Sequence, residues 1–436
     1  MSTRRLVGDA VFTGVAGESV IPNGVVDVDG ATITYVGPAA DAPDPVDRLS
    51  ENIGGLLMPG LVNAHAHTPM VLLRGSGDGL PLDRWLHDVM WPREALFTDD
   101  DAWWGMALGS AEMLAAGVTT SAEMYFFEDA IVDATTTSGA RLVMTPAVLP
   151  GLHGHGSRDE QIRHAHERHH DPDGRVTVGV APHSAYLLGV DRCAELALLA
   201  RELDTVLQIH LNETAAENAA LEARHGGAST VALLADAGVF DGAVLAAHGV
   251  WLDDDDIATL AAHEVAVVHC PISNMKLGAG TARVVDMIEA GMTIALGTDG
   301  PASNNDLDLW EELKIAPLLA RVSGHDAQSI DPATAVALAT SNGGRALGLA
   351  DVGRLASGMR ADIIRLDLDD PAFVPTIDAD DLVTHLVWSA SGRHVTDVWV
   401  DGRRVVSGGE SLTIDVARAA AEVNQRARRL AVEAIA

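Results

Sequence analysis

The chain has 436 residues, 47% of them apolar, enough for a large buried core and long enough for more than one domain. Its 62 acidic residues outnumber the 29 basic ones, for a formal net charge of −33. Such a chain repels nucleic acid and anionic membranes, and no apolar run reaches the roughly 18 residues of a membrane span, so neither is an expected partner.

In chain order, the opening MSTRRLVGDAVFTG runs straight into strand-like alternation, with no apolar h-region or small-residue cleavage site, so no signal peptide is expected. Residues 4–57 read as short strands (LVGDAVFTG, GVVDVDG, TITYVG) separated by Gly, Pro and Asp turns. Residues 58–350 repeat a different unit, in which short apolar runs lead into amphipathic helical stretches such as RCAELALLARELD. The runs RVTVGVAPHS, TVLQIHLNE, AVLAAHGVW, VAVVHCPIS and TIALGTDG are continuously apolar, as parallel strands buried on both faces are. No GxGxxG or GxxxxGK[ST] follows any of them, so nucleotide-phosphate folds gain no support. ADIIRLDL and HVTDVWVDGRRVVSGG return to the texture of the N-terminal strands, which predicts a sheet assembled from both ends of the chain. VARAAAEVNQRARRLAVEAIA predicts a C-terminal helix on the surface.

Five of the middle runs end in a polar or ionisable residue: His183, His210, His248, His269 and Asp299. In a closed parallel barrel all strand C-termini point to one face, where these side chains would converge. PGLVNAHAHTPM adds His65 and His67, two apart on a strand and so on one side of it. Three imidazoles (His65, His67, His210) with the Asp299 carboxylate make a fitting set for Zn²⁺, Fe²⁺ or Ni²⁺, zinc first. The expected fold is therefore α/β, a (β/α)8 TIM barrel with its metal at the strand C-termini.

Other features carry less. Cys193 and Cys270 cannot build a disulfide framework, which suits a reducing cytoplasm. The run Asp253 to Asp256 reads as solvated acidic surface, of the kind that keeps a protein soluble in high salt, and the composition resembles that of halophilic cytoplasmic proteins. His153, His155, His164, His166, His169 and His170 fall in a loop and an exposed helix and read as a solvated face; His269 reads as shaping its loop. A deaminase of the HxE…PCxxC type is excluded, because no PCxxC exists.

PGLVNAHAHTPM, HLNET, AHGVWL, HCPISNMKL and TDGPASNNDLDLWEE resemble, in order and spacing, the amidohydrolase superfamily. The likeness is to its branch of methylthioadenosine/S-adenosylhomocysteine deaminases, guanine deaminases and triazine hydrolases. It covers nearly the whole chain and implies a β-sandwich domain from residues 1–57 and 351–412, a barrel over 58–350 and a C-terminal helix over 413–436. It also implies a homo-oligomer and one divalent ion per chain. Relatives with two metals often bridge them by a carboxylated lysine from the middle of the barrel, and this chain has no lysine before Lys276.

For the site, the resemblance implies Glu213 as proton shuttle, His248 as the group that orients hydroxide and steadies the tetrahedral intermediate, and Asp299 as ligand and proton acceptor. Glu94 would hold ribose hydroxyls, His183 the nucleoside or its ring, and Ser303 the base or Asp299. Arg158 would align with an arginine that holds a homocysteine carboxylate, although GLHGHGSRDE departs from the arginine-rich loop expected there. The expected substrate is a nucleoside, 5′-methylthioadenosine or S-adenosylhomocysteine. A guanine or pyrimidine deaminase or a triazine-type C–N hydrolase is the alternative on the same scaffold. Intact His65, His67, His210, Glu213 and Asp299 argue against an inactive scaffolding relative.

Overall fold

The computed structural model describes residues 3–44, 49–151 and 157–434. The end segments form two sheets. Thr32–Pro38, Gly24–Asp29, Arg4–Val7 and Leu49–Asn52 lie side by side in one of four strands. The other, of seven strands, mixes the two ends: Leu56–Pro59 pairs antiparallel with Ile363–Leu366, Met58 opposite Ile364, and parallel with Ala10–Val11. Leu6, Val26, Ile33, Leu57, Ile363 and Trp399 pack into one apolar cluster, the inward half of the alternation seen in the sequence. Asp27, fully buried beside it, is held by a bidentate pair with Arg5 at 2.7 and 2.8 Å.

The middle of the chain is built on parallel strands. Leu61–Ala66, Val118–Tyr125, Arg141–Val148 and Val176–Val178 form one run, with Ala181–Pro182 also paired to the third strand. Leu207–Leu211, Val244–His248, Ala266–His269 and Ile294–Leu296 form the other. Backbone bridges join the runs at both edges, Val180 to Leu207 and Ala66 to Asp299. Every residue of Arg141–Val148 is buried, which is why these strands read as unbroken apolar runs.

Helices follow the strands. Asp99–Ala115 starts with a capping box between Thr98 and Asp101, and Asp254–Ala262 with one between Asp253 and Asp256. The acidic run at 253–256 is thus a helix start as well as a charged surface, with Asp256 buried and accepting from Ser229 at 2.8 Å. The C-terminal helix Val416–Glu433 buries Ala419, Val423 and Leu430 against Asp99–Ala115, and its Arg429 pairs with buried Asp101 at 2.6 Å. Among the described residues no helix is long and apolar enough to cross a membrane.

Candidate metal centre

His65 lies in Leu61–Ala66; His67 comes just past its end, as the chain turns into a short 3-10 helix. The rings still meet edge to face, centroids 4.7 Å apart. His210 comes from Leu207–Leu211, and Asp299 follows Ile294–Leu296. Asp299 (φ 59°) and His248 (φ 74°) have left-handed backbones, so the chain swings away from the site where their side chains enter it.

One potential ligand atom from each of His65, His67, His210 and Asp299 lies within 4.8 Å of the others, the one such cluster among the described residues. Asp299 Oδ1 is 3.2 Å from His67 Nε2 and 3.6 Å from His65 Nε2, and His210 Nε2 is 3.3 Å from His67 Nε2. Ligands about 2.0–2.1 Å from a tetrahedral ion stand about 3.3–3.4 Å from each other, so these separations fit one ion. His65 Nε2 is buried without a hydrogen-bond partner, as a nitrogen awaiting a cation would be.

The rings are held from behind. His67 Nδ1 lies 2.6 Å from Met124 O, and His210 Nδ1 3.0 Å from His183 O; a carbonyl only accepts, so both rings are protonated at Nδ1 and offer Nε2. Ser273 and Ser303 donate to Asp299 Oδ2 at 2.6 and 2.8 Å, leaving Oδ1 to face the imidazoles. Burial lowers the His65 pKa to about 4 and also pushes His210 well down, which keeps both neutral and able to ligate. Burial opposes ionisation of Asp299 too, but the His65 and His67 imidazoles beside it outweigh burial and hold the carboxyl well below its ordinary range.

Glu213 and His248 adjoin this cluster. Burial, reinforced by the Asp299 charge, pushes Glu213 up to about 8. His248 Nδ1 donates to Asn274 Oδ1 at 2.9 Å, leaving Nε2 bare and 3.7 Å from Glu213 Oε2. Glu94, also buried, lines the same cavity and accepts from the Tyr125 hydroxyl at 2.5 Å. His183 lines it too, its ring centroid 4.4 Å from that of His210, and Trp85, Trp91 and Leu149 supply apolar wall.

Arg158 stands apart from the cavity lining. Its guanidinium pairs with Glu128 and donates to Gln161 Oε1 and Ala147 O. His164, His166 and His169 lie on Arg158–His169, where His169 pairs with Asp129 at 2.5 Å; His166 stacks on His170; His153 and His155 are outside the described residues. His269 is buried at the end of its strand and contributes no atom to the cluster.

Sequence reasoning missed Ser273, Asn274 and Tyr125, which hold Asp299, His248 and Glu94, and also Gln208, whose amide lies 3.0 Å from His65 Nδ1. Gln208 carried a signal: it is polar in the apolar run TVLQIH and two residues before His210, hence on the same face. Tyr125 carried none, since its partner Glu94 lies 31 positions away.

The amidohydrolase family profile matches residues 56–405. The chain belongs to the amidohydrolase family. This amidohydrolase is 37% identical over 435 residues to a 5-methylthioadenosine/S-adenosylhomocysteine deaminase of Pelotomaculum thermopropionicum, covering 99% of each chain. It is 40% identical over 370 residues to the protein of that name in Haloarcula marismortui, covering 84% of each. The solved structure of a zinc-bound adenosine deaminase from Xanthomonas campestris superposes with a TM-score of 0.93 at 33% identity, covering 98% of both chains. Family and donor set agree on a divalent metal ion in this centre.

Proposed function

We propose that this amidohydrolase hydrolytically deaminates an adenosine-type nucleoside, 5′-methylthioadenosine or S-adenosylhomocysteine, to the inosine analogue and ammonia. The observation that carries the reading is one cavity lined by three of the metal-binding side chains (His67, His210 and Asp299), by Glu213 and His248, and by Glu94. Relatives 37% and 40% identical, with the deaminase name, support the substrate class.

His65, His67, His210 and Asp299 hold the ion, with zinc the first choice given the zinc-bound neighbour. When bound, the ion makes hydroxide available from water near neutrality. Glu213, an acid whose proton is held up to about pH 8, gives that proton to the ring nitrogen as the water oxygen attacks, and the carboxylate so formed relays the remaining hydroxyl proton to the departing amine, the next water restoring the acid. His248, neutral and bare at Nε2, accepts from the water and orients it toward the ring carbon. Glu94 accepts from ribose hydroxyls, and the Tyr125 hydroxyl fixes its orientation. Ser303 acts by holding Asp299, and His183 borders the nucleoside.

The same reading treats residues 58–350 as a closed (β/α)8 barrel, supported by the bridges at both edges of the parallel runs. It treats 1–57 with 351–412 as a sandwich domain, supported by the shared sheet, although Leu56–Pro59 straddles the junction. The test is ammonia release in high salt from a panel of purines and nucleosides, with metal analysis. Turnover of the two nucleosides and about one ion per chain are expected; activity on free guanine or triazines alone would overturn the assignment.

A further inference from the structure

We propose that Gln208 is a positioning residue of the metal centre: its amide oxygen accepts the Nδ1–H of His65 and so commits Nε2 of that ring to the ion. This rests on the metal-centre reading above. An imidazole that ligates through Nε2 must carry its proton on Nδ1. Backbone carbonyls enforce this for His67 and His210. His65 has no such carbonyl; its Nδ1 faces the Gln208 amide, 3.0 Å away.

An amide has a donating and an accepting end, and the surrounding hydrogen bonds decide which end faces which neighbour. One end of Gln208 meets His65 Nδ1 and the other meets Thr145 Oγ1 at 2.5 Å, while that hydroxyl also lies 2.9 Å from Glu123 O. With the amide nitrogen toward His65, the single Thr145 hydrogen has to serve two acceptors, the Gln208 oxygen and Glu123 O. His65 would then be protonated at Nε2, with no acceptor nearer than Asp299 Oδ1 at 3.6 Å.

Turned end for end, the Thr145 hydroxyl and the His65 Nδ1–H each find one acceptor, and one of the two amide hydrogens of Gln208 is left without one. Gln208 donates to Thr145, Thr145 donates to Glu123 O, and His65 Nδ1–H donates to Gln208. The change gives up only a 3.3 Å contact from the amide nitrogen to Ala64 O, beyond the usual range of a strong hydrogen bond. Gln208, Thr145 and His65 are all fully buried, so no solvent can substitute for a missing partner. The chain from Glu123 O through Thr145 and Gln208 therefore does for His65 what carbonyls do for the other two rings.

The test measures zinc affinity of the full-length protein by chelator competition, alongside ¹⁵N NMR of the histidine side chains in the zinc-loaded state. Wild type should show Nδ1–H at His65. Gln208→Met, similar in shape but unable to accept, should bind zinc roughly 10–100-fold more weakly. Gln208→Glu, which in ionised form can only accept, should restore affinity. Zinc bound equally tightly by Gln208→Met overturns the inference and leaves the metal centre standing, whereas Nε2–H at His65 in zinc-loaded wild type overturns the inference and removes His65 from the ligand set. Wild type that takes up no zinc overturns the metal centre itself. The NMR readout needs no variant, so a poorly folding substitution does not blunt the test.

Discussion

The parallel strands carry a buried polar cluster at each end, and the two are resolved in opposite ways. Arg141 opens the strand Arg141–Val148 and is almost fully buried. It donates to Asp362 at 2.9 and 3.1 Å, to Asp401 at 2.6 Å and to Gly174 O at 2.9 Å, so each guanidinium nitrogen has an acceptor. Burial works against its charge, but the two aspartates prevail and its pKa stays above the ordinary value. At the strands' C-terminal ends, burial wins at His65, which falls to about 4, at His183, which falls to about 3, and at Glu213, which rises to about 8, while Asp299 and His67 hold each other's charge against it. There His65 Nε2 is left without a partner. A cluster that satisfies itself ties the parallel strand to the terminal sheet. One that leaves donor atoms aimed at a common point requires a further group to complete it.

The largest expected effect breaks the catalytic end. Glu213→Gln should lower turnover by roughly 10²–10⁴-fold while zinc content stays at the wild-type level. Unchanged turnover would remove Glu213 from the proton relay. At the other end, Arg141→Met leaves buried Asp362 without its cation and should destabilise the fold by about 3–5 kcal/mol, read from urea midpoints. Metal content and kcat/KM per folded molecule should hold; loss of zinc with stability intact would erase the distinction between the two clusters. Glu94→Ala should lower kcat/KM for nucleosides roughly 10–100-fold, the worth of a hydrogen bond to a charged group, with little effect on a free base. Equal damage to both would remove the ribose contact.

The metal centre was legible in the sequence because its residues stand out against the apolar runs they end, as in TVLQIH and TIALGTD. Strand direction then brings those ends together, and parallel pairing is recorded in the continuous burial of each strand. The sheet built from both ends was legible for a similar reason, although texture alone did not reveal two sheets, or that Met58 pairs with Ile364 across 306 positions. What stayed hidden depends on partners distant in sequence. Arg158 reads locally as a free cation, yet Glu128, on the preceding helix, claims it. Tyr125 reads as the end of a strand, yet its hydroxyl orients Glu94. Which way the Gln208 amide faces depends on Thr145 and Glu123, both on other strands.

The smallest expected effect concerns Glu217, next to Glu213. Its Oε1 accepts from the Glu213 backbone N–H at 2.6 Å, and burial, reinforced by the Glu213 charge, raises its pKa to about 8. Unfolding returns it to about 4.5, so the folded state binds this proton more tightly. The resulting stability is fully present below about pH 4.5 and is lost as pH rises through about 8. Glutamine at this position keeps the acceptor oxygen and never ionises. Glu217→Gln should therefore match wild type near pH 5 and gain on it by on the order of 1–3 kcal/mol by pH 9, read as the difference in urea midpoints. Titrating groups that do not face Glu217 are common to both proteins and largely cancel, while Glu213 titrates together with it. Parallel pH curves would mean that Glu217 ionises freely in the fold, and that the catalytic end compensates its carboxylates as the Arg141 cluster compensates Asp362 and Asp401.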